Sequence, residues 1–315
     1  MISAWGNALH FSDYRRVITC LIFIVSPFNY FRGVFLRRLC FIVFSTLLLF
    51  LLVSFFASDV LLWRVWSFLG DEEFYLALSL LIYYLHPDPV GGLLLVLSVV
   101  FSGSFNVFLK YWLNLPRPLN PLVPVEGPGF PSGHSQVSTS FWFVFPSVIC
   151  VRCFYLVSIV LITGISLSRL YLRAHYPVDV VCGVVFGLIV GLVVLLLKSF
   201  LGYLVFILCS ILSLMLSLIS VLLFDGPIST CSVLIATSLV VFLLLLFFRG
   251  YLKSIVFNVW LRLFLFIVSS GIVFLVYFLT LGFGLFLRVF VFSLVVFFVL
   301  MLPLFINVFC VVKCR

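Results

Sequence analysis

Residues 168–179 read SRLYLRAHYPVD and join one strongly apolar run to the next. The apolar runs on either side make the fold a matter of membrane spans, and the stretch itself carries the chemistry. Arg169 is a fixed cation suited to an oxyanion. His175 and Asp179 are four positions apart, a spacing that puts them on one face of a helix. There the carboxylate would take the proton of one imidazole nitrogen and leave the other bare, as a nucleophile or a base. A solvated loop between two spans accounts for a single Arg or His. It accounts poorly for Arg169, Arg173, His175 and Asp179 together at the mouth of a bilayer.

Composition excludes a soluble domain. The 315 residues are 65% hydrophobic, with 40 Phe, and only 9% are charged, against about 25% in soluble proteins. Phe, Leu and Val dominate both halves, so an integral membrane protein is expected throughout. The net charge of +9 reads as membrane topology and not as nucleic-acid binding, because Lys and Arg stand at the ends of apolar runs. The nine Cys are scattered through apolar segments. Cys150 and Cys153 form a C-x-x-C with no second pair or nearby His to complete a zinc site.

Two upstream stretches extend the pattern. Lys110 opens KYWLNLPRP, which ends in Arg117-Pro118, and Pro131-Ser132-Gly133-His134 stands where the next apolar run begins. In order, the three read K-x6-RP, PSGH and SR-x5-H-x3-D. This ordered signature resembles that of the type 2 phosphatidic acid phosphatase (PAP2) superfamily. Read from the residues, Lys110, Arg117 and Arg169 gather positive charge that calls for a polyanion such as phosphate. Ser132 and Gly133 lie at a helix start, where backbone N–H groups favour an anion. The resemblance implies that His175 attacks phosphorus, Asp179 orients it, and His134 protonates the leaving oxygen and then activates water. It implies no metal or other cofactor, and Asp179 is the only acid inside the three blocks. His10 and His86 have no assignable partners, and Arg173, off the pattern, reads as facing headgroups.

The expected fold is an all-α polytopic bundle. It comprises an interfacial segment at 1–38, lying in the interface or as a half-inserted hairpin, a six-helix PAP2-like core at 39–198, and about four further transmembrane helices at 199–315. Spans are expected at 39–57, 73–86, 90–109, 135–151, 153–168, 176–197, 200–224, 228–248, 255–279 and 285–311. The last four form a nearly unpolar region that suits packing or a homo-oligomer interface, with Arg262 as a costly intramembrane charge. The function expected from the resemblance is hydrolysis of a lipid phosphate or diphosphate, of polyprenyl, glycerolipid or sphingoid type, through a phosphohistidine. A phosphotransferase, or a lipid transporter or scaffold retaining the site, is the alternative.

Ten spans put both termini on one side. With the N-terminus cytoplasmic, eleven Lys and Arg fall inside, from Arg15 to Arg315, and five outside, namely Arg64, Lys110, Arg117, Arg169 and Arg173. That bias sets both termini in the cytoplasm and all three motif blocks on the opposite face. A reporter fused after Arg315 should therefore read cytoplasmic, while a tag inserted between Asp71 and Glu73 should be labelled from outside intact cells. The reverse labelling would invert the topology.

Overall fold

The computed structural model describes residues 27–57, 59–86, 88–248 and 259–313. Most of the expected interfacial segment, residues 1–26, lies outside them, as do 255–258 of the ninth span. Among the described residues there are eleven helices and no strand: α1 Pro27–Ala57, α2 Val60–Phe68, α3 Glu72–Leu85, α4 Pro89–Leu113, α5 Gly133–Ile149, α6 Phe154–Tyr171, α7 Pro177–Leu201, α8 Leu204–Phe224, α9 Ile228–Phe248, α10 Val259–Leu279 and α11 Leu285–Lys313. Local chemistry sets many of their ends. The Asp88 carboxylate caps α4 by accepting from Val90 N–H at 3.1 Å, with Pro89 at the first helical position. Asn114, Cys150 and Asp225 end α4, α5 and α8 in the left-handed region.

Eight helices are long and apolar enough to cross a bilayer, and the chain is a multi-pass membrane protein. The expected spans at 73–86 and 135–151 correspond to α3 and α5, which have 14 and 17 residues. The short, polar α5 is explained by its position. It packs against α4, α6 and α7, and its Ser135, Gln136, Ser138, Thr139 and Ser140 are buried, so protein rather than lipid surrounds it. Helix α2, which the hydropathy pattern did not single out, is an additional short element before α3.

The tightest packing is between α5 and α7. Gly183, Gly187 and Gly191 recur every fourth residue on α7 and so share one face. A β-carbon at Gly183 would lie 2.7 Å from the Ser132 carbonyl oxygen, and one at Gly187 2.4 Å from that of Gln136. Backbone meets backbone there, as small residues allow in membrane helices. Ser132 N–H also donates to the Asp179 carbonyl at 3.0 Å, joining the starts of the two helices.

The C-terminal helices dock onto the rest through α3 and α4. Helices α8 and α9 pack on α4, and α10 on α3. Tyr84 Oη donates to the Val299 carbonyl at 2.7 Å, Tyr83 Oη donates to that of Leu300, and Ser217 Oγ donates to Ser104 Oγ at 2.9 Å. Arg262 on α10 reaches the Leu85 carbonyl at 3.2 Å, where the negative end of α3 offsets its charge. Buried Arg288 donates to the Thr280 carbonyl at 3.3 Å and lies over the Tyr277 and Phe292 rings.

Because Gly187 faces backbone, Gly187→Leu should lower the thermal midpoint in detergent markedly, overpacking being worth about 1–3 kcal/mol. Gly271→Ala should leave it within about 0.5 kcal/mol, since nothing lies within 4 Å of a β-carbon there. Fluorescence-detected size exclusion after heating reads both.

Candidate active site

Three loops meet at one end of the bundle. Arg64 in the middle of α2 donates to the Leu122 carbonyl in the α4–α5 loop at 3.1 Å. Leu122 N–H in turn donates to the Leu172 carbonyl in the α6–α7 loop at 2.9 Å. Arg117 spans the same two loops. Its Nε donates to the Gly127 carbonyl at 2.9 Å, Nη2 to that of Glu126 at 2.9 Å, and Nη1 to that of Ala174 at 3.0 Å. The guanidinium is thereby held flat, with Nη1 also 3.2 Å from His175 Nε2.

That contact assigns the His175 tautomer. Guanidinium can only donate, so Nε2 accepts and is the bare nitrogen, while the ring proton sits on Nδ1. Nδ1 faces Asp179 Oδ2 at 3.6 Å, an ion-pair distance longer than a hydrogen bond. The pair does not lie along a helix as the four-residue spacing suggests. Helix α7 starts at Pro177 with Tyr176 as its N-cap, so His175 stands just before it and Asp179 in its first turn. Proline with its fixed φ begins the helix there. Asp179 Oδ2 reaches back to Tyr176 N–H at 2.9 Å, and this capping turn brings the carboxylate beneath the imidazole.

The other expected residues join them. Buried Arg169, near the end of α6, donates through Nη1 to Ser67 Oγ, while its Nε has no partner among the described residues. Lys110 Nζ, near the end of α4, donates to the Pro128 carbonyl at 3.4 Å. Gly133 is packed so closely that a β-carbon would lie 3.0 Å from Asn106 Oδ1. The Ser132 N–H, expected to be open to an anion, is instead taken by Asp179. The Gly133 and His134 N–H groups at the start of α5 make no hydrogen bond among the described residues. Arg173 is exposed, unlike Arg169 and His175.

Several contributors carry no sequence signal. His134 Nε2 lies 2.9 Å from Asp71 Oδ1, and Ser67 meets Arg169, both across large sequence separations. Asn106 Nδ2 donates to Gln136 Oε1 at 2.8 Å and to the Pro131 carbonyl at 3.3 Å, buttressing the turn before α5. Among the described residues no three His, Cys, Asp or Glu side chains are grouped to hold a metal ion.

Electrostatics follow from this crowding. Burial holds the His175 imidazole below its ordinary range. The Asp179 carboxylate opposes this, and Lys110, Arg117 and Arg169 reinforce it. The bare nitrogen therefore stays unprotonated as pH falls through the usual imidazole range. In a variant with His10, His86 and His134 replaced by Gln, 15N-histidine NMR in micelles should give a midpoint below about 6.5. A midpoint at or above that value would show that burial and the three cations do not outweigh Asp179.

A bare imidazole nitrogen among cations, beside open N–H groups at a helix start, suits attack on a phosphoryl centre. Residues 91–203 match the family model described as the PAP2 superfamily. No curated protein and no solved structure matches the chain. The matched stretch contains all three motif blocks and leaves out α1, α2 and α3, and with them Ser67 and Asp71. Residues 91–203 are thus similar to the PAP2 superfamily, whose members are in general phosphatases, and that match implies phosphatase-type activity for this multi-pass membrane protein.

Proposed function

We propose that the chain hydrolyses a phosphate or diphosphate carried by a membrane lipid, with His175 as nucleophile and the catalytic unit at 39–198. The observation that carries this reading is the His175 Nε2 lone pair, 3.2 Å from Arg117 Nη1 and backed on its other side by Asp179. A bound phosphoryl group takes over the Nη1 donor that Nε2 holds in its absence. Lys110 and Arg169 add charge, and the Gly133 and His134 N–H groups receive the remaining oxygens. Nε2 forms a bond to phosphorus as the bond to the leaving oxygen breaks, and His134 gives that oxygen a proton. The Nδ1 proton stays toward Asp179, which balances the positive charge on the ring. Water then attacks the phosphohistidine, His134 takes its proton, and breaking of the N–P bond returns His175 and releases phosphate.

The site opens at the bundle end where Trp112, Leu119 and Tyr176 are exposed, an apolar rim that suits a headgroup presented from the bilayer. The charge bias supports cytoplasmic termini and a site on the non-cytoplasmic face. Nothing in this scheme needs a metal, so activity should survive EDTA.

The test is phosphate release from a panel of lipid phosphates and diphosphates by purified protein in EDTA. His175→Ala should abolish release and phosphoenzyme for every substrate. His134→Ala should slow the phosphorylation step of an alkyl lipid phosphate by about 10²–10⁴-fold, and that of p-nitrophenyl phosphate less, because its leaving group needs less protonation. Rapid quench isolates this step. An aryl advantage in His175→Ala and none in His134→Ala would exchange the two roles. Release that depends on an added acceptor alcohol would replace hydrolysis by transfer.

A further inference from the structure

The elbow between α2 and α3, residues 67–71, lies outside the matched stretch, yet it touches the site at three points. Ser67 Oγ accepts from Arg169. Gly70 lies against the His134 ring, where a β-carbon would come 3.0 Å from Cδ2. Asp71 Oδ1 lies 2.9 Å from His134 Nε2. This is not a loose surface loop. Gly70 N–H and Asp71 N–H close turns on the Ser67 and Phe68 carbonyls at 2.8 and 3.1 Å. Behind it, Trp63 stacks on Tyr171 with centroids 5.2 Å apart. Trp66 donates to Ser54 Oγ at 3.1 Å, and a β-carbon at Gly164 would lie 2.4 Å from its ring.

The elbow therefore covers one edge of His134, the edge made by Nε2 and Cδ2. A carboxylate only accepts, so the hydrogen between Asp71 and His134 belongs to Nε2. Nδ1, on the other edge, has no hydrogen-bond partner among the described residues. We propose that Asp71 is a positioning residue for His134, holding one proton on Nε2 throughout turnover so that Nδ1 alone gives and regains the catalytic proton. This rests on the reading of His134 as the acid of the first step.

The charges around His134 set the sign of the pH effect. Burial and the Arg169 and Lys110 cations disfavour its imidazolium in the absence of an anion, while Asp71, and in the complex the bound phosphoryl anion, favour it. His134 lies outside the eight candidate spans. Removing the Asp71 charge makes the ring lose its second proton at lower pH, so the acid is lost earlier as pH rises.

The test follows the phosphorylation step by rapid quench, with short-chain phosphatidate in mixed micelles and with p-nitrophenyl phosphate. Asp71→Asn should slow phosphatidate by about 10²-fold at neutral pH and the aryl phosphate less, with the alkaline limb moved down by about one pH unit. Asp71→Glu should keep the limb near its original pH, and Asp71→Asn with His134→Ala should be no slower than His134→Ala alone. Equal slowing of both substrates with an unmoved limb, or additive losses in the double variant, would overturn the proposal and leave the hydrolytic reading standing. No His175-dependent turnover in the unmodified protein would remove that reading and this inference with it. Should Asp71→Asn not fold, Asp71→Glu carries the test: a limb displaced as far as expected for loss of charge would count against it.

Discussion

The hydrogen bond from Ser132 N–H to the Asp179 carbonyl, 3.0 Å long, is the joint on which the candidate site depends. It ties the first turn of α5 to the first turn of α7, and thus His134 to His175. The glycines of α7 make it attainable, because Gly183 and Gly187 let that helix lie against the α5 backbone. A side chain at either position would push the helix starts apart, and the two histidines with them. Geometry at the head is in this sense decided by packing one and two turns below it.

The second constraint is charge. Lys110, Arg117 and Arg169 are drawn toward one ring, and each finds an oxygen in the absence of an anion: the Pro128 carbonyl, the carbonyls of Glu126, Gly127 and Ala174, and the Ser67 hydroxyl. These neutral acceptors hold the donors in place without cancelling their charge. On the proposed reading, the uncancelled charge would favour a phosphoryl group, and the fixed donors would limit the reorganisation that its binding requires.

The motif residues and the helical class were legible because both are local. Apolar runs report spans, and each motif block lies within a dozen residues. What was not legible depends on contacts between distant segments. Asp71 was readable only as one of three acids before an apolar run, and nothing in its neighbourhood points to His134. The placement of His175 and Asp179 on one helix face misjudged the boundary, because Pro177 starts the helix after His175 and a capping turn replaces the helical one. The Ser132 N–H was assigned to an anion when a carbonyl on α7 already holds it. Hydropathy read 135–151 as a span, whereas α5 is a short helix whose Ser135, Gln136, Ser138 and Ser140 are buried in protein.

The packing of α8 and α9 on α4 has a further effect. Within its apolar window α4 is 83% buried, whereas α7 is 33% and α1 11% buried. Helix α4 is thus enclosed by protein, whereas α1 and α7 leave most of their apolar surface to the bilayer. On the lipid-phosphate reading proposed above, a headgroup would come to the site along the lipid-facing surface of α7, whose first turn carries Asp179, and not along the enclosed α4. On that reading a neighbour covering α7 would slow turnover without approaching a single reacting atom.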